Sequence, residues 1–421
     1  MGGLAFSSGE SPLYTPRMSR AVYEHVIKNC QAKLRELFVG IASPIQGPAK
    51  KDFGDVDIFV VWDKKTVLPS PKVDKLVSSL SPSAHDPLEA AVRLLGAERY
   101  VKEQANVTIA IPWPEDLPQE VKKEDAKTPR YIQVDLHLCD SLEHLQWMLF
   151  KQAHGDLWSI LGSIIRPYGL TMDEVGLYIR IPEIESLNKK QAKILLSSEP
   201  AQILKFLGLK HSGKEWEEPF ASVKELFEYV ATCRLFWVRP EGGDVDKNKL
   251  KSNDRRRMNY RPIFKKWVEE FLPACREAGR FTKQTATRDS VRKEAFKSFP
   301  GAQRAYEARL LSWRKERQQQ TLWNDVIKAA IPDPLAAELK TLGNPHWRSV
   351  LAHALKRVVM QDDYHLLSSR PPASFRDADG IYDEQRVRQF VVDNWWDVGR
   401  AAWNENQEKY ARRVAEKGTK H

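Results

Sequence analysis

Cysteine is scarce and scattered: Cys30, Cys139, Cys233 and Cys275 are the only four in 421 residues, and no two stand at metal-ligand spacing. That argues against a disulfide framework or a paired-cysteine zinc site, and reduced thiols are expected. Long apolar runs are also missing. No stretch of eighteen or more apolar residues occurs, so no membrane span is expected. Met1 to Tyr14 has neither a basic start nor an apolar stretch of signal-peptide length, and Phe6 stands where a myristoylation motif needs Ser or Thr. An intracellular protein, nuclear or cytoplasmic, is the expectation. His346 and His353 are seven apart, too far for an i, i+4 metal pair. Acidic residues are in deficit, 56 against 66 basic, leaving a formal charge of +10. The excess favours a polyanionic partner and says nothing of fold.

What is present begins with Gly54-Asp55-Val56-Asp57-Ile58-Phe59-Val60-Val61, an apolar run that opens on two carboxylates. Alternation on a strand puts residues i and i+2 on one face, about 6.6 Å apart. Asp55 and Asp57 therefore project together while Val56, Ile58 and Val60 fill the other face. Paired carboxylates on one edge suit divalent cations; a strand with one wet face is the plainer alternative. A second run, Arg130 to Cys139, carries Asp135 among apolar residues, where an ionised carboxylate is costly unless it is paired or bound to metal. If the two strands are neighbours, Asp135 is a third ligand. His137 reads as a structural histidine.

Residues 1–17, rich in Gly, Ser and Pro, read as a flexible leader. An amphipathic helix is expected over Arg20–Phe38, then a turn-rich loop, Val39 to Pro48, whose backbone could cradle phosphates or serve as an ordinary connection. A loop with room for a short helix is expected over 63–84, a loop over 114–129, and strands at Asn106–Ile111 and Gly176–Ile181. A helix over Ala201–Leu207 is expected to close at Gly208. Pro240 to Asp244 marks a boundary, beyond which helical spacing recurs at 262–275, 288–297, 302–330, 334–341, 347–360 and 384–413.

Gly54-Asp55-Val56-Asp57 followed about eighty residues later by Gln133-Val134-Asp135-Leu136 resembles the palm of the DNA polymerase β superfamily of nucleotidyltransferases. Tyr168 to Tyr178, then Ser197 to Leu209 and Trp216-Glu217-Glu218-Pro219, resemble the family X thumb. The resemblance spans roughly residues 18 to 220. It implies an α+β fold: a nucleotidyltransferase palm over 18–150, a mixed sheet with helices on one face, and a thumb-like α/β subdomain over 151–238. The remainder, 239–421, reads as a helical, basic C-terminal domain. By the same resemblance Asp55, Asp57 and Asp135 are catalytic and hold two Mg²⁺ (or Mn²⁺) ions. The substrates implied are an NTP or dNTP and a DNA or RNA 3′ end. The family's Gly-Ser pair with following arginines is absent, leaving Gly40, Ser43, Gly47, Lys50, Lys51 and Gly54 as the available nucleotide-binding residues. His154 and Gly155 fall near the family's glycine turn and join them. The expected activity is template-independent 3′ nucleotide addition; an inactive palm that binds nucleic acid or acts as a scaffold is the alternative.

Lys247 to Lys266 holds nine basic residues and one acidic. Lys249, Lys251, Arg255, Arg256, Arg257 and Arg261 are the nucleic-acid-binding candidates, with a nuclear import signal or a solvated connector as other readings. Arg314, Lys315 and Arg317 form a second basic patch beside Trp313 and Trp323, and Trp395-Trp396 is assigned to packing.

Overall fold

The computed structural model describes residues 3–80, 86–114, 128–211, 216–239, 252–332, 345–368 and 373–418. Lys249, Lys251, the boundary at Pro240 to Asp244, most of the 114–129 excursion and the helix expected at 334–341 lie outside these residues. The chain forms two compact units, Met1–Ala302 and Gln303–His421.

The first unit is α+β. Its strands run β1 (Met18–Ser19), β2 (Phe38–Ala42), β3 (Asp52–Phe53), β4 (Asp55–Asp63), β5 (Arg99–Glu103), β6 (Asn106–Pro112), β7 (Tyr131–Cys139), β8 (Leu170–Met172), β9 (Leu177–Arg180) and β10 (Lys193–Ser197). Five of them make a mixed sheet in the order β2-β4-β7-β6-β5. The β4–β7 pair is parallel and the other pairs are antiparallel. Alternation decides the faces. Val56, Ile58, Val60, Val134 and Leu136 join Val22, Val26, Cys30 and Leu34 of the helix Arg20–Leu34 in one core. Each such fully buried aliphatic side chain contributes about 1.5–3 kcal/mol.

The opposite face carries the carboxylates and is only partly covered. The helix Leu142–Gln152 lies over its Val61 end: a Cβ on Gly40 would meet Val61 Cγ1 at 2.5 Å and Leu145 Cδ2 at 3.7 Å. Helices were expected on one face; this one flanks the other. The expected loop after residue 38 is also corrected, since Phe38–Ala42 pairs with β4. Its β-branched and aromatic residues beside an apolar strand outweigh the single glycine. Residues 3–17 are not loose where described. Phe6 is 2% exposed, Tyr14 bridges Arg130, and the Ala5 N–H donates to Gln133 Oε1 at 3.0 Å.

A second sheet, β10-β9-β8, is antiparallel. The helix Pro200–Leu207 follows it and ends at Gly208, with φ 72° in the left-handed region that glycine adopts without steric cost. Helices Val223–Ala231, Ser252–Tyr260, Pro262–Lys266 and Arg288–Ser298 come next, with Trp267 buried among Phe227, Phe236 and Phe271.

The second unit is helical among its described residues. Its longest described helices are Glu384–Gly418, then Ala302–Thr321, which opens it, and Pro345–Gln361. Leu322, Ile327, Leu351, Leu355, Val359, Val387, Val391 and Val398 form its core. Trp395 and Trp396 pack partly buried against that core and contact Trp347. Arg317 stacks over Trp313, while Trp323 lies under Lys328 and Lys356. No described helix is long and apolar enough to cross a membrane.

Candidate active site

Parallel pairing sets Asp57 directly opposite Asp135, and Asp55 opposite Gln133. Residues opposite each other on adjacent strands share a face at about 4.8 Å. The three aspartates thus gather on the uncovered end of the sheet. Burial first, then the charges of Asp57 and Asp135, raise the Asp55 carboxyl to about 6. Asp135 is raised chiefly by burial and also by Asp57, against the hydrogen bonds of Thr108 and Gln133. Like charges this close call for a cation or a proton.

Asp135 is held by a local contact. Gln133 Nε2 donates to both of its carboxylate oxygens at 3.1 Å, and the Ala5 N–H fixes that amide. His137 bonds Asn106 through Nδ1 at 2.9 Å and stacks on Phe59; its Nε2 stands 3.7 Å from Asp57 Oδ1.

Asp55 and Asp57 open into a cleft of about 1080 Å³. Of the expected nucleotide-binding residues, Lys50, Gly54 and Gly155 line it; Gly40, Ser43, Gly47, Lys51 and His154 do not. Gly40 is a packing glycine, as above. Ser43 Oγ accepts from Gln31, and Lys51 is exposed. Lys50 donates to Gln46 Oε1 at 2.8 Å and lies over Phe53. Burial lowers its pKa, against the pull of Asp55 and Asp57. Gly47 instead supports Gly155 from behind: a Cβ on Gly155 would sit 3.2 Å from Gly47 Cα.

His154 has φ 61° and donates its N–H to Ile45 O at 2.8 Å. Its ring is fully buried against Trp216 and Phe220, with neither nitrogen bonded. Burial holds its pKa down at about 4. It is a neutral wedge, and no ligand contact is open to it.

The basic candidates divide. Arg257 and Arg261 line the cleft, whereas Arg255 and Arg256 are exposed elsewhere. Sequence reasoning missed Arg17, Lys151, Arg166, Arg180, Lys189, Lys190, Lys193 and Arg288, which also line it. For Arg180 a signal existed. A cation inside the apolar run Leu177 to Ile181 needs a partner when buried, and Glu185 supplies it at 2.7 Å.

Among the described residues, no three His, Cys, Asp or Glu side chains are gathered closely enough to hold a metal ion as they stand. Mg²⁺ seldom uses an all-protein cage; one or two carboxylates, substrate phosphates and water serve it. Asp55 and Asp57, half-buried, hard-oxygen and mutually repelling, fit that partial ligand set. A cleft with two carboxylates inside basic walls suits a polyanion that brings a divalent cation with it.

This is a mixed α+β unit with a carboxylate-floored basic cleft, accompanied by a helical unit. No family model matches the chain, and no curated protein matches it. Among solved structures, a Leishmania infantum polymerase β in a ternary P/T complex aligns over 48% of this chain and 77% of that chain, at 16% identity and a TM-score of 0.30.

Proposed function

We propose that the first unit is a polymerase β-like nucleotidyltransferase that adds nucleotides from an NTP or dNTP to a nucleic-acid 3′ end without a template. The observation that carries this reading is the gathering of Asp55, Asp57 and Asp135 on one sheet face, with Asp55 and Asp57 opening into a basic cleft. The acceptor hydroxyl attacks the α-phosphorus, a P–O bond to the acceptor forms, and the P–O bond to pyrophosphate breaks. Asp55 and Asp57 would hold Mg²⁺ or Mn²⁺, which when bound lowers the hydroxyl pKa and neutralises phosphate charge. Asp135, oriented by Gln133 and raised by burial, takes up the hydroxyl proton at a carboxylate oxygen. Lys50 and the arginines of the cleft balance the phosphates.

The test is extension of a labelled single-stranded oligonucleotide with each NTP and dNTP in Mg²⁺ or Mn²⁺. Extension by the wild type and loss of at least a hundredfold in Asp57→Asn is expected. No extension by the wild type, or equal extension by the variant, refutes it. The hold of Gln133 on Asp135 favours a second reading, a palm without turnover that binds nucleic acid; nucleic-acid binding with no extension would select it.

A further inference from the structure

Two buried carboxylates, each paired with arginines that line the cleft, do something the aspartate cluster does not explain. Asp254, 6% exposed, accepts from both terminal nitrogens of Arg166 and from Arg257 Nη1 at 2.9 Å. Asp156, 8% exposed, accepts from Arg261 Nη1 at 2.8 Å and from the Phe264 N–H at 3.3 Å. Each acid is satisfied, but the guanidiniums are not used up. Arginine carries five N–H donors, and Arg257 and Arg261 each spend one side-chain donor here. Arg257 is further pinned over the Phe264 ring at 5.9 Å, while half of the Arg261 side chain remains exposed.

Three guanidiniums and two carboxylates leave one net positive charge, and all three arginines line the cleft of Asp55 and Asp57. The helix Leu157–Ile165 separates Asp156 from Arg166. At 1.5 Å per residue the two anchors stand about 15 Å apart along it. Cations held by buried acids, with spare forked donors on residues that line an open cleft, suit phosphate oxygens. Lys50, the only cation that the 44–50 loop brings to the cleft, is already bonded to Gln46.

We propose that Arg257 and Arg261, preset by Asp254 and Asp156, form a phosphate clamp on the wall of this cleft. The ligand chemistry is a chain of phosphates, supplied by a nucleotide's polyphosphate or by the acceptor strand. The clamp rests on the nucleotidyltransferase reading only for that choice of source, and its test needs no turnover.

Calorimetric titration of the full chain with inorganic tripolyphosphate, and separately with a single-stranded oligonucleotide, both without divalent metal, distinguishes the sources. Replacing both arginines, Arg257→Gln with Arg261→Gln, is expected to weaken one of these ligands by about tenfold per arginine. Loss of tripolyphosphate binding assigns the clamp to the nucleotide, and loss of oligonucleotide binding alone assigns it to the strand. The charge control removes two exposed cations outside the cleft, Lys33→Gln with Arg93→Gln, and is expected to change binding less than threefold. Arg257→Lys with Arg261→Lys keeps both ion pairs, and so the fold, but lacks the fork; it should still weaken binding. No binding by the wild type, equal losses in the control, or wild-type affinity in both arginine pairs overturns the clamp. Clamp binding with no oligonucleotide extension would instead leave the clamp standing and remove the catalytic reading.

Discussion

Substituting Gly155 by alanine tests whether the cleft depends on the backbone contact behind it. Gly155 has φ 65°, where a side chain costs about 1–2 kcal/mol. Its added Cβ would lie 3.2 Å from Gly47 Cα and 3.5 Å from Gly47 N. Those atoms are backbone and cannot rotate away, so the turn must open by a few tenths of an ångström. Overpacking of that kind costs about 1–3 kcal/mol. Together, Gly155→Ala should destabilise the protein by roughly 2–5 kcal/mol. Gly47→Ala is the internal comparison: its Cβ meets Gly155 Cα and His154 O at 3.3 Å, and its φ is not positive. It carries the clash without the backbone term and should cost about 1–2 kcal/mol less. Urea denaturation followed by tryptophan fluorescence measures both, because Trp158 and Trp216 sit beside this turn. Equal losses in the two variants, or none in Gly155→Ala, would refute the argument.

The His154 ring makes stability depend on pH. With the folded pKa lowered to about 4, the unfolded chain binds more protons between about 4 and 6.5, so stability falls as pH drops through that window, by roughly 3 kcal/mol in all. His154→Phe should flatten that part of the stability profile, and an unchanged slope would count against it. Truncating Phe6, which is buried although it lies near the chain start, should cost about 3–5 kcal/mol in Phe6→Ala by the same denaturation assay; a neutral result would mean that residues 3–17 contribute nothing to the core.

The strands β4, β6 and β7 of the carboxylate sheet were legible because each is a β-branched run with period two, and the place of Asp135 was legible because a charge in such a run demands an explanation. The exposed edge strand Arg99–Glu103 was not, since a strand buried on neither face carries no apolar alternation. The leader misled for a related reason. Gly, Ser and Pro describe local freedom, while its order comes from long-range contacts such as Ala5 to Gln133. The basic segment near residue 250 was visible as charge, but its composition treats Arg255, Arg256, Arg257 and Arg261 alike. What separates them is which carboxylate each meets, and Asp156 is 105 residues from Arg261.

That separation also bears on how the cleft would hold a cation. Asp55 and Asp57 face the cleft while Asp135 is held by Gln133, so the protein alone presents two carboxylates and not three. A hard divalent cation there needs phosphate oxygens to complete its shell. Phosphates in turn need cations on their other side, and a cleft wall with preset guanidiniums offers them. Nucleotide and metal are then expected to bind with positive coupling, each raising the other's affinity by the same factor. Calorimetric titration of a nucleoside triphosphate with and without Mn²⁺ reads that factor directly. Equal nucleotide affinity under both conditions would show that Asp55 and Asp57 do not share a cation with the phosphates.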